Sequence, residues 1–275
     1  MVELSRTIRF AVSRRRRDAD ERHRNGFGGS PRFDGLGAHY ELVVKCQGEP
    51  DPKTGYLINI KDIDRAAKAT ALKTIDEQFR AGTSVSELEL LPRLADAIAE
   101  KLVAPLRSVL WRLSPTFSLE YDMHDRTHAL LRQQFDFAAA HRLHAPELSD
   151  EENDRVFGKC NYPSCHGLYY RFESAVAVPV DQPVGGFGLA DLEELCDTLV
   201  IERFDHTHLN VDTEEFGPRG VMPSVENIAK VIYDILAPAV ADRGAALRSM
   251  TVWETDRTCC TYPASLLTPL QADSN

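Results

Sequence analysis

Apolar and polar positions alternate along several short stretches of the chain and recur at helical spacing along others. Tyr40-Glu41-Leu42-Val43-Val44-Lys45 alternates and predicts a strand near 39–46, after another near 6–12. Helical patterns follow near 61–79 and 86–102, the second Ala-rich and stopping before Pro105. Strands near 108–113 and 117–122 close this half. The second half repeats the order, with strands near 131–141 and 167–178, helices near 189–202 and 224–237, and strands near 248–254 and 258–262. Gly55 and the Gly185-Gly186 pair sit in the turns leading into the first helix of each half. The predicted fold class is α+β, in two β-β-α-α-β-β units, each an antiparallel sheet with its helices on one face.

Local matches support a duplication. Phe10-Ala11-Val12-Ser13-Arg14-Arg15 parallels Phe137-Ala138-Ala139-Ala140-His141-Arg142, and Leu36-Gly37-Ala38-His39-Tyr40 parallels His166-Gly167-Leu168-Tyr169-Tyr170. Lys61-Asp62-Ile63 pairs with Ala190-Asp191-Leu192, and Ile75-Asp76-Glu77 with Phe204-Asp205-His206. Position 137 against 10, 167 against 37, 191 against 62 and 205 against 76 give offsets of 127 to 130. Arg107-Ser108 with Trp111, and Arg248-Ser249 with Trp253, end the two halves in the same way. The join is expected near residues 123–127, giving domains 1–126 and 127–275.

Composition narrows the function classes. With 275 residues and 43% hydrophobic content the chain can bury a real core. A net charge of -10 argues against a general nucleic-acid binder. No apolar run approaches the ~18 residues that would span a bilayer. Met1-Val2-Glu3-Leu4-Ser5-Arg6 lacks the apolar segment of a signal peptide. Six irregularly spaced cysteines read as reduced thiols of a cytoplasmic protein. The basic stretch Arg14-Arg15-Arg16-Arg17, followed by Arg22, Arg24 and Arg32, is either a solvated loop or a clamp for an anionic substrate.

The chemistry lies in the second half. His141 ends one apolar strand and His166 opens another. Residues two apart on a strand share a face, so a third ligand is expected at 168, where the chain has Leu168. On spacing alone, two metal-ligating imidazoles and two hydrogen-bonded histidines are equally good readings. Cys160, in Gly158-Lys159-Cys160-Asn161, is either a reactive thiol or an ordinary loop cysteine. Asp205-His206 offers a carboxylate-polarised imidazole for proton transfer, or a histidine at a helix C-terminus. Ser224 and Glu226 suit a helix start. Glu254 ends an alternating strand, where a half-buried carboxylate needs donors from a ligand or an arginine. The first half carries Arg14, Leu36, Glu77 and Arg112 at the matching places, and so no reaction centre.

These residues, in this order, resemble the 6-pyruvoyltetrahydropterin synthase and 6-carboxytetrahydropterin synthase family, closely over 131–262 and distantly over 5–122. Phe137 to Leu143 meets the pattern Phe-x-Ala-x-His-Arg-Leu. Gly158 to Tyr170 meets Gly-Lys-Cys-Asn-x-Pro-x-x-His-Gly-His-x-Tyr except at Leu168, and a family Asp after the glycine turn is replaced by Gly188. Asp205-His206 with Leu209-Asn210, Glu226-Asn227 and Glu254-Thr255 complete the match. The resemblance implies the tunnelling fold and zinc held by His141 and His166. It implies a catalytic set of Cys160, Asp205 and His206, and pterin contacts from Glu254, Thr255, Glu226 and Ser224. It further implies a lyase acting on 7,8-dihydroneopterin triphosphate with release of triphosphate; the step from Cys160 to His166 is similar to the pyruvoyl type. Family sites form between subunits, so a two-unit chain is expected as a homotrimer. The Leu168 departure leaves two alternatives: a pterin-binding protein without turnover, and a metal-independent aldolase-like enzyme.

Overall fold

The computed structural model describes residues 1–14, 29–32, 36–82, 85–183 and 185–264. Residues 15–28, which hold most of the arginine-rich stretch, lie outside them. Among the described residues two compact units emerge, one from Met1–Leu131 with Pro179–Asp181, the other from Arg132–Val178 and from Gln182 onward.

In the first unit, β1 (Val2–Val12) pairs antiparallel with β2 (Ala38–Gly48), matching Val2 to Gly48 and Val12 to Ala38. Alternation sends Ile8, Phe10 and Val12 into the core from one strand and Leu42, Val44 and Cys46 from the next. The helical pattern expected at 61–79 becomes α1 (Ile60–Ala67), a π-helical turn (Lys68–Leu72) and α2 (Lys73–Ala81). The Asn59 side chain caps the start, and Gly82, at φ 64°, ends it in the left-handed conformation that a glycine adopts without strain. Then α3 (Glu87–Ala99) packs Leu91, Leu94 and Ile98 onto the sheet, with Ser86 as its cap. β3 (Leu106–Arg112) and β4 (Phe117–Asp122) complete the antiparallel order β1-β2-β3-β4.

The second unit takes up the long strand β5 (Asp125–His141) from Arg132 onward. Between it and β6 (His166–Pro179) lies α4 (Asp150–Phe157), followed by a 3-10 turn (Gly158–Asn161). This helix was not among the predicted elements. Its capping box was in the sequence: the Ser149 hydroxyl accepts from the Glu152 amide, and the Glu152 carboxylate accepts from the Ser149 amide. After β6 come α5 (Leu189–Cys196), a π-helical turn (Asp197–Ile201), α6 (Glu202–Phe204), the short β7 (Thr207–His208), α7 (Leu209–Asp212) and α8 (Val225–Asp242). β8 (Ala246–Thr255) and β9 (Thr258–Tyr262) finish the order β5-β6-β8-β9. β7 runs parallel beside β5, placing His208 opposite Ala140.

The irregularities of the two units keep the same spacing. The π turns begin at 68 and 197, and the register shifts of the second strands fall at Lys45/Cys46 and Ala175/Val176. The positive-φ glycines before the first helices are Gly55 and Gly185. Among the described residues, no helix is long and apolar enough to cross a membrane.

Candidate active site

Alternation along the end of β5 buries Phe137, Ala139 and His141. The Phe137 ring stacks on Tyr170 of β6 at 5.2 Å and forms the floor under the histidine. His141 is fully buried. Its Nδ1 lies 2.8 Å from the Pro223 carbonyl and 3.0 Å from the Tyr170 hydroxyl. A carbonyl can only accept, so Nδ1 carries the proton and Nε2 presents a lone pair. That lone pair faces His166 Nε2 at 3.3 Å, with the two rings edge to face. Cys160 Sγ is 3.9 Å from His166 Nε2, and Glu254 Oε1 is 3.7 Å from His141 Nε2. The donor atoms of His141, Cys160 and His166 all lie within 4.8 Å of one another. His166 Nδ1 is buried and has no hydrogen-bond partner among the described residues.

The electrostatics follow from burial. Desolvation lowers the His141 pKa, against the pull of the Pro223 carbonyl, and His166 and His208 lower it further. Burial raises the Cys160 thiol, and the Glu254 carboxylate adds to it. The same two causes, with Cys160, hold the Tyr170 phenol neutral. Two imidazoles and a thiol converging in a partly buried cluster fit a zinc ion, which takes nitrogen and sulfur donors. His141 Nδ1 on a backbone carbonyl is the usual outer support for such a ligand.

Other motif residues build the frame around these groups. Asn161 Oδ1 accepts from Arg142 Nη2 at 3.0 Å and lies 2.9 Å from His144 Nδ1, while Arg142 Nε donates to the Asn161 carbonyl. The Leu143 amide donates to the Cys160 carbonyl at 2.8 Å, so the Cys160 turn is tied to the end of β5. Asn210 clamps Arg142 through both its amide and its carbonyl. Asn227 Nδ2 donates to the Met222 carbonyl and fixes the loop carrying the Pro223 carbonyl. Ser224 Oγ accepts from the Asn227 amide as the cap of α8. Thr255 is exposed and its Oγ1 accepts from the Arg257 amide. Glu226 lies near Cys260, whose thiol it raises after the effect of burial.

Asp205 and His206 form a ready pair in a different place. Asp205 Oδ2 is 2.7 Å from His206 Nδ1, and Asp205 Oδ1 accepts from the Ala138 amide at 2.8 Å. Both bonds lower the Asp205 pKa, the Ala138 amide most. The His206 backbone is left-handed at φ 56°, and its side chain is 81% exposed. His206 lines a shallow hollow of about 360 Å³ between residues 138–140, 167–169 and 206–207. His141, Cys160, His166 and Glu254 do not line it. The structure thus gathers four of the expected residues in one cluster, while His206 lines a hollow that those four do not.

Two groups escaped sequence reasoning. Tyr170 follows His166 and Leu168 at strand period two, and that period alone puts it on the same face. Cys165, at φ 58°, has its Sγ 2.7 Å from His208 Nε2; nothing local in the sequence signals this contact, which comes from β7 joining β5.

A profile of the family described as 6-pyruvoyl tetrahydropterin synthase matches residues 130–265, which include every residue of the cluster. A 6-pyruvoyl tetrahydrobiopterin synthase of Drosophila melanogaster is 40% identical over 107 residues, 38% of this chain and 62% of the relative. The Homo sapiens protein of that name is 34% identical over 138 residues, 50% of this chain and 92% of the relative. The solved 6-pyruvoyl tetrahydropterin synthase of Caenorhabditis elegans superposes with a TM-score of 0.44 at 33% identity, covering 48% of this chain and 93% of that one. On the motif residues gathered at His141 and on near full-length coverage of the human relative, this chain belongs to the 6-pyruvoyl tetrahydropterin synthase family.

Proposed function

We propose that this chain is a zinc-dependent lyase that converts 7,8-dihydroneopterin triphosphate to its 6-pyruvoyl product with release of triphosphate. The observation that carries this reading is the convergence of His141, His166 and Cys160 beside the Glu254 carboxylate. His141 and His166 hold the metal. Zinc supplies a Lewis acid that acidifies carbon-bound protons beside the substrate's side-chain hydroxyls. Glu254, half-buried with its Oε1 3.7 Å from the unprotonated His141 Nε2, accepts from the amino and ring N–H groups of the pterin. The family resemblance assigns Ser224, Glu226 and Thr255 further contacts to the pterin. Cys160 takes up a proton from carbon, and His206, oriented by Asp205, passes protons to and from the leaving side.

Because His206 lines a hollow that His141, Cys160, His166 and Glu254 do not, we infer that a complete site takes the Asp205–His206 pair from a second copy of the chain. We infer a homotrimer in which each chain's first unit, a duplicate without its own metal cluster among the described residues, serves as a structural partner. The recurrence of π turns, register shifts and glycine turns at one spacing supports the duplication.

The test is to incubate zinc-loaded protein with 7,8-dihydroneopterin triphosphate and separate the products by chromatography. Triphosphate and a 6-pyruvoyl pterin should appear together, and His206→Ala should slow them by about 10²–10⁴-fold. Zinc-loaded, folded protein that releases no triphosphate overturns the proposal; acetaldehyde with a 6-carboxy pterin transfers it to the sister reaction.

A further inference from the structure

We propose that Cys160 is itself a metal ligand in this chain, completing a His141–His166–Cys160 site in place of the donor that Leu168 does not provide. The inference rests on the metal-dependent reading above and adds the identity of the third ligand; a thiolate bound to the metal gives up the proton-accepting role proposed for Cys160, which then passes to His206.

Three observations carry it. The first is geometric. Zinc–nitrogen bonds of about 2.0–2.1 Å and zinc–sulfur bonds of about 2.3 Å set tetrahedral edges of roughly 3.3 Å between nitrogens and roughly 3.6 Å between nitrogen and sulfur. The His141–His166 edge is 3.3 Å and the Cys160–His166 edge is 3.9 Å. The remaining edge lies within 4.8 Å, so closing the set needs Cys160 Sγ to move by about 1 Å toward the imidazoles.

The second is that no other donor joins the mutually close set among the described residues. Leu168 has no donor atom. Glu254 comes close to His141 but falls outside the mutually close set, which leaves its carboxylate for the pterin. Cys165, the neighbouring thiol, is engaged with His208 at 2.7 Å and is outside the set as well.

The third is the support of the thiol. The Cys160 turn is tied down by the Leu143 amide and by the Arg142–Asn161 bonds, so Sγ arrives at the imidazoles on a fixed backbone. Binding forms one metal–sulfur bond and releases the thiol proton to solvent.

The experiment titrates metal-free, full-length protein with cobalt(II) and records absorption. One cobalt per chain with a thiolate-to-cobalt charge-transfer band is expected. The band should vanish in Cys160→Ser and Cys160→Ala and persist in Cys165→Ala. Cobalt affinity in Cys160→Ala should fall by roughly 100-fold, the upper end of what even an outer-shell loss costs. Leu168→His placed in the Cys160→Ala background should restore binding without restoring the band. Should the Cys160 variants misfold, iodoacetamide mapping of the unsubstituted protein replaces them: cobalt should protect Cys160 and leave Cys259 reactive. Cobalt bound without a thiolate band, a band that survives Cys160→Ser, unprotected Cys160, or no cobalt bound overturns the inference. The catalytic reading fails separately. A band without triphosphate release refutes the lyase and keeps the ligand, while release without a band does the reverse.

Discussion

Asn161→Ala tests whether the Cys160 turn is held by the bonds described above. Asn161 is buried at 5% exposure. Its Oδ1 takes the Arg142 guanidinium at 3.0 Å and lies 2.9 Å from His144 Nδ1, and its Nδ2 donates to Asp154 at 2.7 Å. A bond from a charged donor contributes about 1.5–3 kcal/mol and a neutral one about 0.5–1.5 kcal/mol. Asp154 is exposed, so its share is small. Alanine should therefore cost about 3 kcal/mol. At roughly 2–4 °C per kcal/mol for a chain of this size class, the melting midpoint of the second unit should fall by about 6–12 °C.

The assay pairs thermal unfolding with the cobalt titration, because the turn carries both the stability and the thiol. Asn161→Asp keeps an acceptor for Arg142 and should recover most of the stability. If Asn161→Ala melts within 2 °C of the parent, at the low end of that scale, and binds cobalt with an unchanged spectrum, the turn is held by something else. The reasoning about the Arg142–Asn161 anchor then fails.

Tyr170→Phe removes one of two acceptors of the His141 Nδ1 proton and leaves the Pro223 carbonyl; denaturant unfolding should show a loss of about 1 kcal/mol, with metal still bound. Gly158→Ala places a side chain at φ 52° with open space around it, so only backbone strain acts; about 1–3 kcal/mol should be lost in the same measurement. In the first unit, Arg9 and Arg112 hold the Glu41 carboxyl below its ordinary value. Its stabilisation is present above the unfolded carboxylate value and is lost as pH falls through the folded one, so Glu41→Gln should flatten the acid limb of a stability–pH profile. Mixing unfolded His206→Ala and Cys160→Ala chains and refolding them together should restore triphosphate release if neighbouring copies share a site; two inactive variants that stay inactive refute the shared site.

Much of this was legible because strand period two converts directly into a shared face. Phe137, Ala139 and His141 on one strand, and His166, Leu168 and Tyr170 on the other, are read without knowing the fold. The helix near 150 left an equally local signal in Ser149 and Glu152, which needed only a capping-box reading. The π turns left none, since an extra residue in a helical turn is decided by packing against the sheet. Two features of the site were beyond any local pattern. Asp205 and His206 are adjacent in sequence to a helix end, but the Ala138 amide holds Asp205 and a left-handed backbone at His206 carries its ring to the hollow. Cys160 reaches the imidazoles because its carbonyl is bonded to Leu143, seventeen positions away in the chain. Read along the chain, Leu168 is the loss of a ligand. Read in space, a thiol lies within 4.8 Å of both remaining imidazoles, so on the ligand assignment proposed above the donor set shifts from nitrogen toward sulfur rather than emptying. A site so altered should prefer softer cations than a three-imidazole site does. Competition between zinc and cobalt in the parent and in the Leu168→His, Cys160→Ala double variant measures that preference directly: replacing the sulfur donor with nitrogen should narrow the preference for zinc, and an unchanged ratio would mean that sulfur never entered the coordination.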